Sequence, residues 1–162
     1  MNRKIHSPDK IIGVLQKFNS KTIGFTNGCF DIIHIGHIRI LSEIKKNCDI
    51  LVVALNSDNS VKRLKGARRP IIPLIERTEI VAALESVNFV TYFDEDTPIN
   101  LILKIKPQIL AKGGDWDKYH IVGSDIVIKN GGKVLSLDYI KGSSTTNIID
   151  KIVKLYSNDR KF

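Results

Sequence analysis

Apolar positions along the chain switch repeatedly between short runs and helical spacing. Ser7-Pro8-Asp9 reads as a helix start, and Ile11, Ile12, Leu15 and Phe18 follow at helical spacing, predicting a helix over about 8–19. Residues 22–26 form a short apolar run ended by Asn27-Gly28, a strand followed by a turn. Ile38, Leu41 and Ile44 then predict a helix over 35–46. The run 50–55 is apolar at every position, which suits a strand covered on both faces. A short helix is expected over 59–64 behind Asn56-Ser57-Asp58, and a stronger one over 74–84 with Ile75, Thr78, Ala82 and Leu84 facing inward. Strands follow at 89–93, 108–111 and 133–137, with helices over 97–106 and 124–129 between them. A final helix carries Ile148, Ile149, Ile152 and Leu155, and a frayed tail is expected over about 157–162.

Strands alternating with helices imply a parallel sheet. The expected fold class is α/β, a Rossmann-like doubly wound parallel five-stranded sheet with helices on both faces, and 1–162 reads as a single domain. Ligands in such sheets bind beyond the carboxyl ends of the strands. The loops after Thr26, Leu55, Phe93, Ala111 and Leu137 should therefore converge.

Composition narrows the class. The 162 residues are 43% hydrophobic and 26% charged, as in a globular domain. Cys29 and Cys48 are too few for a disulfide scaffold, so free thiols in a reducing cytoplasm are expected. The opening Met1-Asn2-Arg3-Lys4-Ile5-His6 is polar, and no secretory signal is read there. Apolar runs have the length of strands, short of the roughly 20 residues that span a bilayer. The net charge of +8 is scattered apart from a knot over 62–69, without the interleaved aromatic and basic residues of nucleic-acid modules. Neither nucleic acid nor a membrane is expected as a partner.

Four constellations carry candidate chemistry. His34-Ile35-Gly36-His37 sits between the first strand and the next helix, at an end with free N–H groups and a positive dipole. Two imidazoles there can donate to phosphate oxygens, and Gly36 lets a phosphate approach the backbone. Asp31 could add a third group to a metal reading, but no metal ligands are assigned. Arg63-Leu64-Lys65-Gly66-Ala67-Arg68-Arg69-Pro70, followed by Arg77, reads as a mobile cationic loop able to close over a polyphosphate. Lys112-Gly113-Gly114-Asp115-Trp116 offers a cation, a close backbone approach and a hydroxyl acceptor. Gly142-Ser143-Ser144-Thr145-Thr146 either caps the last helix or holds a phosphate or nucleoside.

Together, in this order, these motifs resemble the cytidylyltransferase-like nucleotidyltransferase superfamily over about residues 8–153. The nearest resemblance is to the branch of adenylyltransferases that act on D-glycero-β-D-manno-heptose 1-phosphate. It is carried by 25–37, Asn56-Ser57-Asp58, Arg63-Leu64-Lys65-Gly66, Arg69-Pro70-Ile71, Arg77, Asp96-Thr97-Pro98, Lys112-Gly113-Gly114-Asp115 and Ser144-Thr145-Thr146. The resemblance implies transfer of AMP from ATP to the heptose phosphate for bacterial surface glycans, with Mg²⁺ bridging the triphosphate. It implies a cytoplasmic homodimer whose partners are ATP and a sugar 1-phosphate. His34, His37 and Lys65 would be catalytic, while Cys29, Phe30, Gly36, Arg77, Ser144, Thr145 and Thr146 would bind the nucleotide. Asp31, Lys112 and Asp115 would bind the acceptor. No sugar-kinase region is read ahead of the domain, so the kinase step would fall to another chain. The Gly114-Asp115-Trp116 ending is also similar to the glycerol-3-phosphate cytidylyltransferases, which keeps CTP and an alditol phosphate as an alternative. A non-catalytic nucleotide- or RNA-binding module is a third reading.

Overall fold

A computed structural model describes residues 3–114, 117–138 and 142–157. Asp115, Trp116 and most of the expected frayed tail lie outside them. Five strands, β1 (Ile23–Gly28), β2 (Ile50–Asn56), β3 (Phe89–Phe93), β4 (Ile109–Gly113) and β5 (Lys133–Leu137), pair in parallel in the order β3-β2-β1-β4-β5. The helices are α1 (Pro8–Leu15), α2 (Ile35–Lys45), α3 (Asp58–Lys65), α4 (Leu74–Ala82), α5 (Ile99–Ile105), α6 (Ser124–Lys129) and α7 (Thr145–Tyr156).

Strand pleat explains the two layers. Ile50, Val52 and Ala54 face one side of β2, packed with Ile11 and Leu15 of α1, Leu101 and Ile102 of α5 and Val127 of α6. Leu51, Val53 and Leu55 face the other, packed with Leu41 and Ile44 of α2 and Val81 and Ala82 of α4. All seven residues of β2 are buried, so its unbroken apolar run reflects helices on both faces.

Three expectations are corrected. Asn27 and Gly28 continue the ladder, opposite Ala54 and Leu55, and the turn falls at Phe30 instead, with φ 47°. Lys112 and Gly113 likewise stay in β4, opposite Ser136 and Leu137. A central strand with neighbours on both sides gains a bond for each residue it adds, and this outweighs local turn preference. In α4 the phase is rotated. Ile75 is 73% exposed, and the fully buried Arg77 takes an inward place beside Thr78, Val81 and Ala82.

The chain runs outward from β1 to β2 and β3, then returns across β1 to β4 and β5. Connections after β1 and β4 therefore diverge, leaving a crevice at the carboxyl edge where the strand order reverses.

Candidate active site

A cavity of about 580 Å³ opens at that crevice. Its walls include Cys29, Phe30, Asp31, His34, His37, Lys65, Arg69, Lys112, Ser144, Thr145 and Thr146. The fold thus brings together residues more than a hundred positions apart.

The start of α2 places the two imidazoles. His34 is the N-cap residue, with extended backbone, and its N–H donates to Nδ1 of His37 at 3.4 Å. With Nδ1 accepting, the proton of neutral His37 resides on Nε2, leaving that nitrogen as a donor. The two rings lie 3.8 Å apart between centroids, and Phe30 covers His37 at 5.1 Å. Burial, reinforced by the neighbouring His34, lowers the pKa of His37 to about 4, and burial lowers that of His34 too. His37 is therefore a neutral donor at pH 7. Nδ1 of His34 is buried without a hydrogen-bond partner among the described residues. Gly36 is not part of the cavity wall; a Cβ there would stand 2.9 Å from that Nδ1 and 3.3 Å from Cβ of Ser143. Its missing side chain lets the His34 ring and the start of α7 close on each other, a different reason for glycine from direct phosphate approach.

Two charged groups expected to meet ligand are satisfied by the protein. Arg77 is buried and absent from the cavity wall. Its Nε donates to the Ile72 carbonyl at 2.9 Å, its Nη1 to the Cys29 carbonyl, and its Nη2 to the Asn56 carbonyl at 3.0 Å and to Asp58 at 2.7 Å. It joins the ends of β1 and β2 to the starts of α3 and α4. Asp31 is equally committed. It accepts from Arg69 Nε at 2.6 Å and from the N–H groups of Ile71 and Ile72 at 2.9 and 2.8 Å. Burial would raise its pKa, but those two N–H groups and Arg69 outweigh burial and hold the carboxyl below its ordinary value. The second half of the cationic loop is thus tethered, because Arg69, Ile71 and Ile72 all converge on one carboxylate. Lys65 remains an exposed cation on the wall.

Lys112 reaches from β4 back to β1, donating to the carbonyl and Oδ1 of Asn27 at 3.0 and 3.2 Å. Burial lowers its pKa, Cys29 opposes that shift and Lys65 adds to it. The Cys29 thiol is pushed up by burial, against the pull of Lys65, Arg77, Lys112 and Arg69. Four cations around one thiol mark a field suited to a polyanion. On the far wall, Ser144 Oγ accepts from Asn147 N–H at 3.0 Å, capping α7, and Thr145 Oγ1 donates to the Ile32 carbonyl at 3.3 Å. Among the described residues no group of three or more His, Cys, Asp or Glu side chains could hold a metal ion.

His120, Ile121 and Val122 also line the cavity, and nothing in their local sequence pointed to a site. Only the placement of the turn before α6 brings them in. Asn27, Asn56, Asp96 and Thr97 were visible within motifs but carried no assigned role.

A family model described as cytidylyltransferase-like matches residues 25–151. The chain belongs to the cytidylyltransferase-like family. Its chemistry is nucleotidyl transfer. The domain is 48% identical to the bifunctional protein HldE of Geobacter metallireducens over 158 residues, covering 96% of this chain and 32% of that protein. It is 53% identical to HldE of Rhodopseudomonas palustris strain BisA53 over 127 residues, 78% of this chain and 26% of that protein. The chain thus spans about a third or less of these relatives. Among solved structures, a lipopolysaccharide core biosynthesis protein from Thermoplasma volcanium superposes with a TM-score of 0.61 at 28% identity, covering 76% of this chain and 99% of the other. A pantoate-β-alanine ligase from Francisella tularensis shares the fold at a TM-score of 0.59 and 16% identity, covering 98% of this chain and 79% of the other.

Proposed function

We propose that this protein transfers AMP from ATP to D-glycero-β-D-manno-heptose 1-phosphate, releasing pyrophosphate and forming ADP-heptose for surface glycan synthesis. The observation that carries nucleotidyl transfer is the pair of stacked imidazoles at the start of α2, sharing one cavity with Lys65 and Lys112. The heptose assignment rests on the motif resemblance, supported by the likeness to the HldE proteins and to the Thermoplasma protein.

An oxygen of the sugar phosphate attacks the α-phosphorus of ATP in line, a new P–O bond forms, and the bond to the β-phosphate oxygen breaks as pyrophosphate departs. The attacking phosphate is already ionised at neutral pH, so no general base is needed. Catalysis then consists of positioning and charge stabilisation. Neutral His34 and His37 donate to the triphosphate without adding a fixed charge. Lys65 compensates charge on the departing pyrophosphate, and Lys112 meets the reacting phosphates from β4. Cys29 and Phe30 contact the nucleotide from the β1 turn, and Ser144, Thr145 and Thr146 contact it from α7. Arg77 acts as a positioning residue. Asp31 holds the loop, which leaves Asp115 as the remaining acceptor-side carboxylate from the sequence motif.

Mg²⁺ enters as part of the substrate, bound to ATP. Of the two carboxylates on the wall among the described residues, Asp31 is hydrogen-bonded by Arg69, Ile71 and Ile72, and Asp96 is paired with Arg63 through one oxygen. We read the chain as one nucleotidyltransferase domain of a cytoplasmic homodimer, acting on these small molecules and not on nucleic acid or membrane. Exposed Ile152, Val153, Leu155 and Tyr156 on α7 support association, and among the described residues no helix is long and apolar enough to cross a membrane.

The test is pyrophosphate release with ATP or CTP against heptose 1-phosphate and glycerol 3-phosphate. ATP with heptose 1-phosphate is expected to give the highest kcat/KM. A preference for CTP with glycerol 3-phosphate would overturn the assignment.

A further inference from the structure

The loop between β3 and α5 is exposed yet held by many bonds. Ser57 Oγ donates to the Asp94 carboxylate, and Arg63 Nη2 donates to the Asp94 carbonyl. Ser60 Oγ donates to the Glu95 carbonyl at 2.9 Å, and Arg63 Nε donates to Asp96 Oδ1 at 2.8 Å. All these donors stand on α3 or at its N-cap, and the outcome is that Asp96 and Thr97 are presented on the cavity wall. Asp96 Oδ2 accepts no hydrogen bond among the described residues.

A sugar phosphate has two chemically different ends. Its phosphate is matched by the cations and imidazoles. Its hydroxyls are donors that need acceptors, and a carboxylate is the strongest acceptor a side chain offers. Of the two wall carboxylates, Asp31 has no capacity left, because Arg69, Ile71 and Ile72 surround it. We infer that Asp96, with Thr97 beside it, binds hydroxyls of the acceptor sugar and sets specificity for a polyhydroxylated phosphate, while Arg63 is the positioning residue that aims the carboxylate. This rests on the acceptor being a sugar phosphate.

The experiment measures pyrophosphate release by wild type, Asp96→Ala, Asp96→Asn and Arg63→Gln, with heptose 1-phosphate and its monodeoxy analogues. Asp96→Ala is expected to raise KM for the sugar phosphate about tenfold, as loss of a charge-assisted hydrogen bond does. KM for ATP stays unchanged, and Asp96→Asn, which keeps one acceptor oxygen, loses less. The deoxy analogue lacking the contacted hydroxyl shows no further loss with Asp96→Ala. Asp96 is largely exposed, so folding is expected to survive both changes. An unchanged acceptor KM overturns the inference. Arg63→Gln, which frees the carboxylate to turn, is expected to raise the acceptor KM by less than Asp96→Ala does, and an Arg63→Gln variant with an unchanged acceptor KM overturns the positioning role of Arg63. If wild type ignores heptose 1-phosphate but turns over another sugar phosphate, the heptose assignment fails, and the same comparison on that sugar decides Asp96. If no sugar phosphate is turned over, both fall.

Discussion

The two walls of the cavity are built in opposite ways. The wall on β1, β2, α3 and α4 is welded. Arg77 makes four hydrogen bonds from full burial, and Asp31 gathers three donors of the following loop. Among the described residues, the side chains at the turn before α6 and at the start of α7 are held by fewer bonds. The exposed His120 ring pairs with the nearby Asp117, and the side chains of Ser144 and Thr145 make one hydrogen bond each among the described residues. On the proposed function, the difference separates two tasks. In-line displacement needs phosphates held to a fraction of an ångström, which favours a preorganised wall whose charges are already aimed. A base and ribose offer broad faces and tolerate an adaptable wall of hydroxyls and one imidazole.

The contrast can be broken most forcefully at Arg77. Arg77→Met leaves three carbonyls and Asp58 without their buried partner, and urea denaturation is expected to show a loss on the order of 3–5 kcal/mol. A stability loss under 1 kcal/mol would show that the wall is not welded there.

His37→Ala sharpens the contrast from the ligand side. Turnover is expected to fall about 10²- to 10³-fold, as for removal of a preorganised donor. The urea midpoint should move little, because the ring's one hydrogen bond among the described residues is long. Near-normal turnover would remove His37 from the chemistry.

Asp31 predicts a pH effect with a definite sign. A carboxyl held below its ordinary value adds stability that is present above the unfolded pKa, about 3.9, and lost as pH falls through the lower native value. Wild type should therefore lose stability on acidification below about pH 4. Asp31→Asn should lose about 1–3 kcal/mol at pH 7 and show a flatter acid dependence. A parallel acid dependence in the two proteins would refute the tether.

The smallest effect belongs to the loose wall. Ser144→Ala removes the cap of α7 and is expected to lower stability by about 1 kcal/mol. If Ser144 also contacts the nucleotide, KM for ATP rises while KM for the sugar phosphate does not. Equal rises in both would place the residue outside the nucleotide wall.

Much of this was legible along the chain. Short apolar runs and helical spacing located the five strands and seven α-helices of the described residues, because burial on both faces of β2 and one face of α1 leaves a pattern that neighbours alone reveal. The imidazole pair could be placed too, since the strand before it and the helix after it are local features. What failed was the fate of individual charges. Arg77 looks like a ligand cation in sequence because it follows a basic loop, but the phase of α4 turns it inward toward four acceptors. Asp31 looks like a free acceptor until Arg69, Ile71 and Ile72, nearly 40 positions later, fold onto it.

Sequence alone therefore determined the alternation of elements, the parallel sheet and the place of His34 and His37 at the start of α2, since each depends on spacing within one or two turns of chain. Tertiary structure decided which charges face the cavity and which brace its walls. That division depends on hydrogen-bond partners supplied by distant strands and loops. A charged side chain has the same identity in both roles, and only its surroundings separate them.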